Sequence, residues 1–172
     1  DSIVALTFSK RISATGLRCG YAVSKNPRSI ELMANAQYVQ AAGVNTPTQY
    51  AIADFLRNRE LREKVFSERK RIYSARRDIM HDSLKPILPD ISKAEGGFYF
   101  FPDIKGLIPQ ASDDYLLNLF MNNGIAVVPG GEFGPGNNGH IRLSFSGVNE
   151  EMTRIGSERI KLVLEDIVNN RV

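Results

Sequence analysis

A long charged stretch, residues 61–84, constrains the fold more than any other part of the chain. Its apolar positions (Leu61, Val65, Ile72, Ile79 with Met80, and Leu84) recur at roughly helical spacing. Pro86 and Pro89 end the pattern. The arginines and lysines of residues 57–77 alternate with Glu60, Glu63 and Glu68, which reads as a solvated helix face. A formal net charge of +3 over 172 residues gives little reason to invoke nucleic acid. The best domain boundary lies in this helix. Residues 1–60 read as an incomplete β–α piece, 61–84 as a connecting helix, and 85–172 as a compact α/β module.

Finer patterning fills in both halves. Residues 3–8 read as a short buried strand and 9–17 as a polar loop. A second strand is expected at 18–24, closed by Asn26-Pro27. Ser29 is a plausible cap for a helix over 30–42, stopped by Gly43, and Thr46-Pro47-Thr48 opens another to about residue 59. Beyond the long helix, 91–101 reads as a strand broken by Gly96-Gly97. Ser112 or Asp113 starts a helix ending near Asn123-Gly124. Strands follow at 125–128 and 140–145 around a glycine-rich loop at 129–138. Asn149 caps a last helix to about residue 167. No apolar run has the length of a membrane span. The single cysteine, Cys19, fits a reducing cytoplasm. The chain opens on Asp1 and reaches its first apolar run almost at once, so its start is expected to be a cut or processed end.

Two clusters carry chemistry. The first is Thr7-Phe8-Ser9-Lys10 followed by Gly16-Leu17-Arg18-Cys19-Gly20. A lysine just past a strand is usually a solvated end charge. Here hydroxyls stand three and one residues before it, and an arginine between glycines stands eight after. Hydroxyl donors with a guanidinium fork can bind a dianionic phosphate, and glycines let the backbone come close. A lysine amine desolvated beside other cations loses basicity and can attack an aldehyde.

This cluster resembles the cofactor-lysine signature of the class I and II aminotransferases, fold type I. Thr7 stands where Gly or Ser is usual, and Cys19 where an aliphatic residue is usual. The second cluster, His140-Ile141-Arg142-Leu143-Ser144-Phe145-Ser146, resembles the family's late strand. It follows a loop, Pro129-Gly130-Gly131-Glu132-Phe133-Gly134, of the family's kind.

The resemblance implies an α/β fold: the C-terminal part of a fold type I enzyme, a remnant of the large-domain sheet plus a complete small domain. Residues 3–8 and 18–24 would be neighbours in the large sheet. It implies pyridoxal 5′-phosphate carried on Lys10, with Thr7, Ser9 and Arg18 on its phosphate. It implies Arg142 on the substrate α-carboxylate, Phe98 in the pocket wall, and Asn45 reaching the cofactor across a homodimer interface.

The implied activity is amino-group transfer between an amino acid and a 2-oxo acid. Alternatives on the same scaffold are a decarboxylase, a carbon–sulfur lyase, or the sensor domain of a transcription regulator. The family takes its pyridine-nitrogen carboxylate and ring-stacking aromatic from segments before the cofactor lysine, so this chain alone is expected to be inactive. The amino donor is not revealed. No arginine or lysine occurs over 29–54, where some relatives hold a side-chain carboxylate. No metal, P-loop or dinucleotide pattern is found, and His81 and His140 read as structural.

Overall fold

The structure, a computed structural model, describes residues 2–109 and 111–169. The chain forms two compact units, residues 1–70 and 71–172. The division falls inside the long helix, between Lys70 and Arg71.

The first unit is built on an antiparallel pair. Strand β1 (Ile3–Thr7) runs beside β2 (Gly20–Ser24), in register from Ile3 opposite Ser24 to Thr7 opposite Gly20. The strand expected to reach residue 8 stops at Thr7. Phe8 instead opens a single helical turn, α1 (Phe8–Arg11), and a 3-10 turn covers Thr15–Leu17. Helices α2 (Pro27–Ala41), α3 (Thr46–Arg57) and the start of α4 (Arg59–Leu84) follow. Asn26, not Ser29, caps α2. Its Oδ1 accepts from the backbone N–H of Arg28 and Ser29 at 2.9 and 3.4 Å, and Pro27 needs no acceptor at the first helical position.

This unit has almost no core. Phe8 and Ile52 are its only buried apolar side chains among the described residues. Every residue of β1 is exposed, Val4 at 53% and Val23 on β2 at 55%. The run that reads as a buried strand thus lies open, because a two-stranded ribbon cannot cover its own faces.

The second unit holds the rest of α4, β3 (Tyr99–Phe100), α5 (Asp113–Asn122), β4 (Val128–Pro129), β5 (Ile141–Ser144) and α6 (Glu150–Asn169). Its sheet is antiparallel in the order β3-β5-β4, so β5 is central. Side chains alternate along β5. Ile141 and Leu143, with Phe145 beyond, point into the core, while Arg142, Ser144 and Ser146 stand on the other face. The inner set packs with Met80 and Leu84 of α4, Leu116 and Phe120 of α5, and Ile160 and Leu164 of α6. At roughly 1.5–3 kcal/mol for each large apolar side chain fully buried, this is where the chain's hydrophobic stabilisation is concentrated.

Only Tyr99–Phe100 survives of the strand expected over 91–101. Gly97 takes φ +70°, which breaks the extended run before it. Residues 93–94 are tied to α4 instead. Arg77 donates to the carbonyl of Ala94 at 3.3 Å, and Asp78 bridges Arg77 and Lys93 at 2.8 and 3.0 Å. The hydrogen bond from Arg77, and then that from Lys93, hold the Asp78 carboxyl below the usual carboxylate range.

Candidate active site

The lysine cluster sits on the connection between β1 and β2. Thr7 Oγ1 accepts the backbone N–H of Ser9 at 3.1 Å and so caps α1. Phe8 donates its N–H to the carbonyl of Cys19 at 3.1 Å and buries its ring near Tyr21. Thr15 Oγ1 donates to the carbonyl of Ser9 at 3.3 Å. These bonds close the turn that carries Thr7, Ser9, Lys10 and Arg18 together. Lys10 is exposed on α1. Arg18 is held in the left-handed region, φ 47° and ψ 42°, where a residue with a Cβ is uncommon. No Asp or Glu occurs in the sequence between Thr7 and Lys25.

Gly20 is what lets the two strands meet beside Thr7. A Cβ there would lie 2.6 Å from the carbonyl oxygen of Leu6, whereas Gly16 faces open space. Gly20→Ala is therefore expected to destabilise the first unit by about 1–3 kcal/mol through forced strand separation. Gly16→Ala should be nearly silent. Amide exchange over residues 3–7 measures both, and equal behaviour of the two variants would rule the argument out.

Arg142 belongs to the second unit. It projects from central β5, and its guanidinium packs on two rings, 4.8 Å from the centroid of Tyr99 and 4.9 Å from that of Phe133. It makes no hydrogen bond or ion pair with another of the described residues. Phe133 arrives on a 3-10 turn (Gly130–Phe133), meets Phe101 edge-on at 5.5 Å, and Phe101 stacks on His140 at 5.0 Å.

The remaining predicted residues are placed differently. Phe98 is 8% exposed and packs in the core against Tyr73, so its ring does not face the outer side of the sheet. Tyr99 does, because it pairs with Ser144 and shares the face of Arg142. Asn45 caps α3, its Oδ1 accepting from the N–H and hydroxyl of Thr48, both at 3.1 Å. Tyr99, Phe133 and Asp113 were not singled out from sequence as site residues. The period-2 alternation of the strand could have found Tyr99, and nothing local signals the others. Among the described residues no His, Cys, Asp or Glu group could hold a metal ion.

Comparison with known proteins decides the family. The family described as aminotransferase class I and II matches residues 1–160. The chain belongs to it. An aspartate aminotransferase of Sulfurisphaera tokodaii is 37% identical over 161 residues, 90% of this chain and 38% of that protein. One of Pyrococcus abyssi is 34% identical over 162 residues, 92% of this chain and 40% of that protein. Among solved structures, an aromatic aminotransferase of Pyrococcus horikoshii superposes with TM-score 0.84 at 30% identity, covering 95% of this chain and 43% of that one. An aspartate aminotransferase of Thermus thermophilus with maleate gives 0.81 at 27%, covering 94% and 41%. The chain thus spans about two fifths of the length of these aminotransferases and corresponds to their C-terminal portion.

The family's cofactor is pyridoxal 5′-phosphate, and the donor set of the β1–β2 turn fits it. A phosphate monoester wants hydroxyl and guanidinium donors, which Thr7, Ser9 and Arg18 supply. An aldehyde wants an amine, which Lys10 supplies beside them.

Proposed function

We propose that the protein transfers an amino group between an amino acid and a 2-oxo acid with pyridoxal 5′-phosphate. This chain would supply the lysine that carries the cofactor and the arginine that holds the substrate. The observation behind the reading is the setting of Arg142. The Tyr99 and Phe133 rings both pack on its guanidinium, and it makes no ion pair among the described residues. The in-plane N–H donors are what remain for a ligand, and a carboxylate matches them two at a time.

Bound pyridoxal phosphate supplies an aldehyde and a ring that takes up the electron pair left at the substrate α-carbon. Thr7, Ser9 and Arg18 hold its phosphate. The Lys10 amine would carry the aldehyde and, when free, would take the proton from that α-carbon and return one on the way back. Arg142 fixes the carboxylate so that the α-C–H bond points the right way for that transfer. Tyr99 walls the substrate side, with the Phe98 ring behind it at 4.6 Å. Asn45 uses only its oxygen in capping α3, which leaves its amide nitrogen for a cofactor in a second subunit.

A cytoplasmic homodimer is the proposed setting. Cys19 as the sole cysteine suits a reducing compartment. Tyr38 and Val39, 73% and 84% exposed, suit a surface that another subunit covers. No helix among the described residues is long and apolar enough to cross a membrane.

A substrate panel tests the reaction. The cofactor-loaded protein, given amino acids with 2-oxoglutarate, should yield a new 2-oxo acid and glutamate in equal amounts. Carbon dioxide or sulfide released without glutamate would overturn the assignment in favour of a decarboxylase or a lyase.

A further inference from the structure

The loop that brings Phe133 to Arg142 is gripped by a side chain of α5. Asp113, the first residue of α5, accepts the backbone N–H of Gly131 through Oδ2 at 2.7 Å and that of Gly139 through Oδ1 at 3.2 Å. One carboxylate therefore grips the 130–139 loop near both of its ends. The glycines are matched to this grip. A Cβ on Gly131 would run into the Asp113 carboxylate, one on Gly130 into the carbonyl of Asn137, and one on Gly139 into the Lys105 side chain. The loop also has bonds of its own, from the Gly130 N–H to the carbonyl of His140 at 2.9 Å, from the His140 N–H to that of Asn137 at 3.0 Å and from the Asn137 side-chain amide to that of Phe133 at 3.1 Å, and Asp113 is the side chain from outside it that holds its backbone. Asp113 forms no ion pair among the described residues, so its two oxygens serve the loop.

We propose that Asp113 is a positioning residue for the carboxylate site. By latching Gly131 and Gly139 it holds Phe133 against the Arg142 guanidinium, and so keeps the edge of that guanidinium aimed at the substrate carboxylate. The inference rests on the reading of Arg142 given above and extends it to a residue that touches neither substrate nor cofactor. The physical case is direct. With two rings packed on it, at 4.8 and 4.9 Å, the guanidinium has fewer rotamers open to it. With Phe133 gone, one of those contacts opens to water and the side chain recovers rotamers that do not present its edge. A carboxylate is suited to the latch because both oxygens accept. An amide offers one acceptor and one donor, and the donor would confront a backbone N–H.

Asp113→Asn tests this, with Phe133→Leu as the parallel variant, since its side chain is largely exposed and its loss should spare the fold. In the 172-residue chain, Asp113→Asn should speed amide exchange at Gly131 and Gly139 by about tenfold or more, the loss expected for charge-assisted hydrogen bonds. The side-chain protons of Arg142, which lie near two rings in the parent, should lose part of their upfield NMR shift. The loss should equal that in Phe133→Leu, with α5 and the core unchanged.

In the cofactor-loaded protein both variants should raise KM for the amino acid about tenfold with kcat within about twofold. Neither should raise it further in an Arg142→Ala background. Unchanged Gly131 and Gly139 exchange, an unchanged Arg142 shift, or an effect that adds fully to Arg142→Ala would overturn the proposal. Failure of the underlying reading looks different: Arg142→Ala alone would leave KM where it was while the exchange and shift changes persisted.

Discussion

Replacing Lys10 with alanine is expected to abolish amino-group transfer, lowering kcat by at least roughly 10²–10⁴-fold, the range for losing a positioned proton-transfer group. The fold should be untouched, because Lys10 is exposed on a four-residue helix whose anchors are Phe8 and the Thr7 cap. The expectation is strong because the lysine is chosen by its neighbours. Thr7, Ser9 and Arg18 stand on the same closed turn, and no carboxylate lies within it. Lys25 and Lys93 have no such company, and Lys93 is committed to Asp78 at 3.0 Å. Borohydride reduction of the cofactor-loaded protein followed by peptide mapping should place the pyridoxyl label on Lys10. A label on Lys25 or Lys93 would refute the assignment.

The second large effect separates the two arginines. Arg142→Ala should leave the cofactor bound and lower kcat/KM by about 30-fold to several-thousand-fold, corresponding to roughly 2–5 kcal/mol for a desolvated charge-assisted pair. Arg18→Ala should instead weaken retention of the cofactor, with much smaller change in the apparent affinity for amino acids once the cofactor is supplied in excess. Absorbance of the bound cofactor after gel filtration reads the first property, and steady-state kinetics the second. If Arg142→Ala sheds the cofactor while handling amino acids normally, the two roles are exchanged.

The chemistry-bearing motifs were legible because they are local. The lysine turn needs only fourteen consecutive residues, Thr7 through Gly20, and the arginine needs only a strand with an outward position. Helix α3 was legible from its Thr46-Pro47-Thr48 start, α4 from its apolar stripe, and α6 from its Asn149 cap, whose Oδ1 accepts from the N–H of Met152 at 2.8 Å. The errors came where a decision belongs to distant partners. Residues 3–8 have the composition of a buried strand, yet nothing within the first unit covers them. The apolar content of 91–101 suggested a strand, but Ile91, Phe98 and Phe100 reach the same core from turns and a two-residue strand. The contact of Tyr99 with Arg142 depends on register with β5. The link from Asp113 to Gly131 and Gly139 spans 18 and 26 residues and leaves no periodic trace.

The backbone at Arg18 separates what the fold wants from what the chemistry wants. At φ 47° and ψ 42° the position suits glycine, and any side chain there costs on the order of 1 kcal/mol. Selection for stability alone would drift this site toward glycine, or toward asparagine, which tolerates the same conformation. An arginine in that place is what the proposed role in phosphate binding would call for. In a lineage that had given up the cofactor, this would be among the first positions to change, ahead of the core. Sequences that keep the two flanking glycines but lose the arginine between them would be candidates for relatives that have retained the architecture and abandoned the reaction.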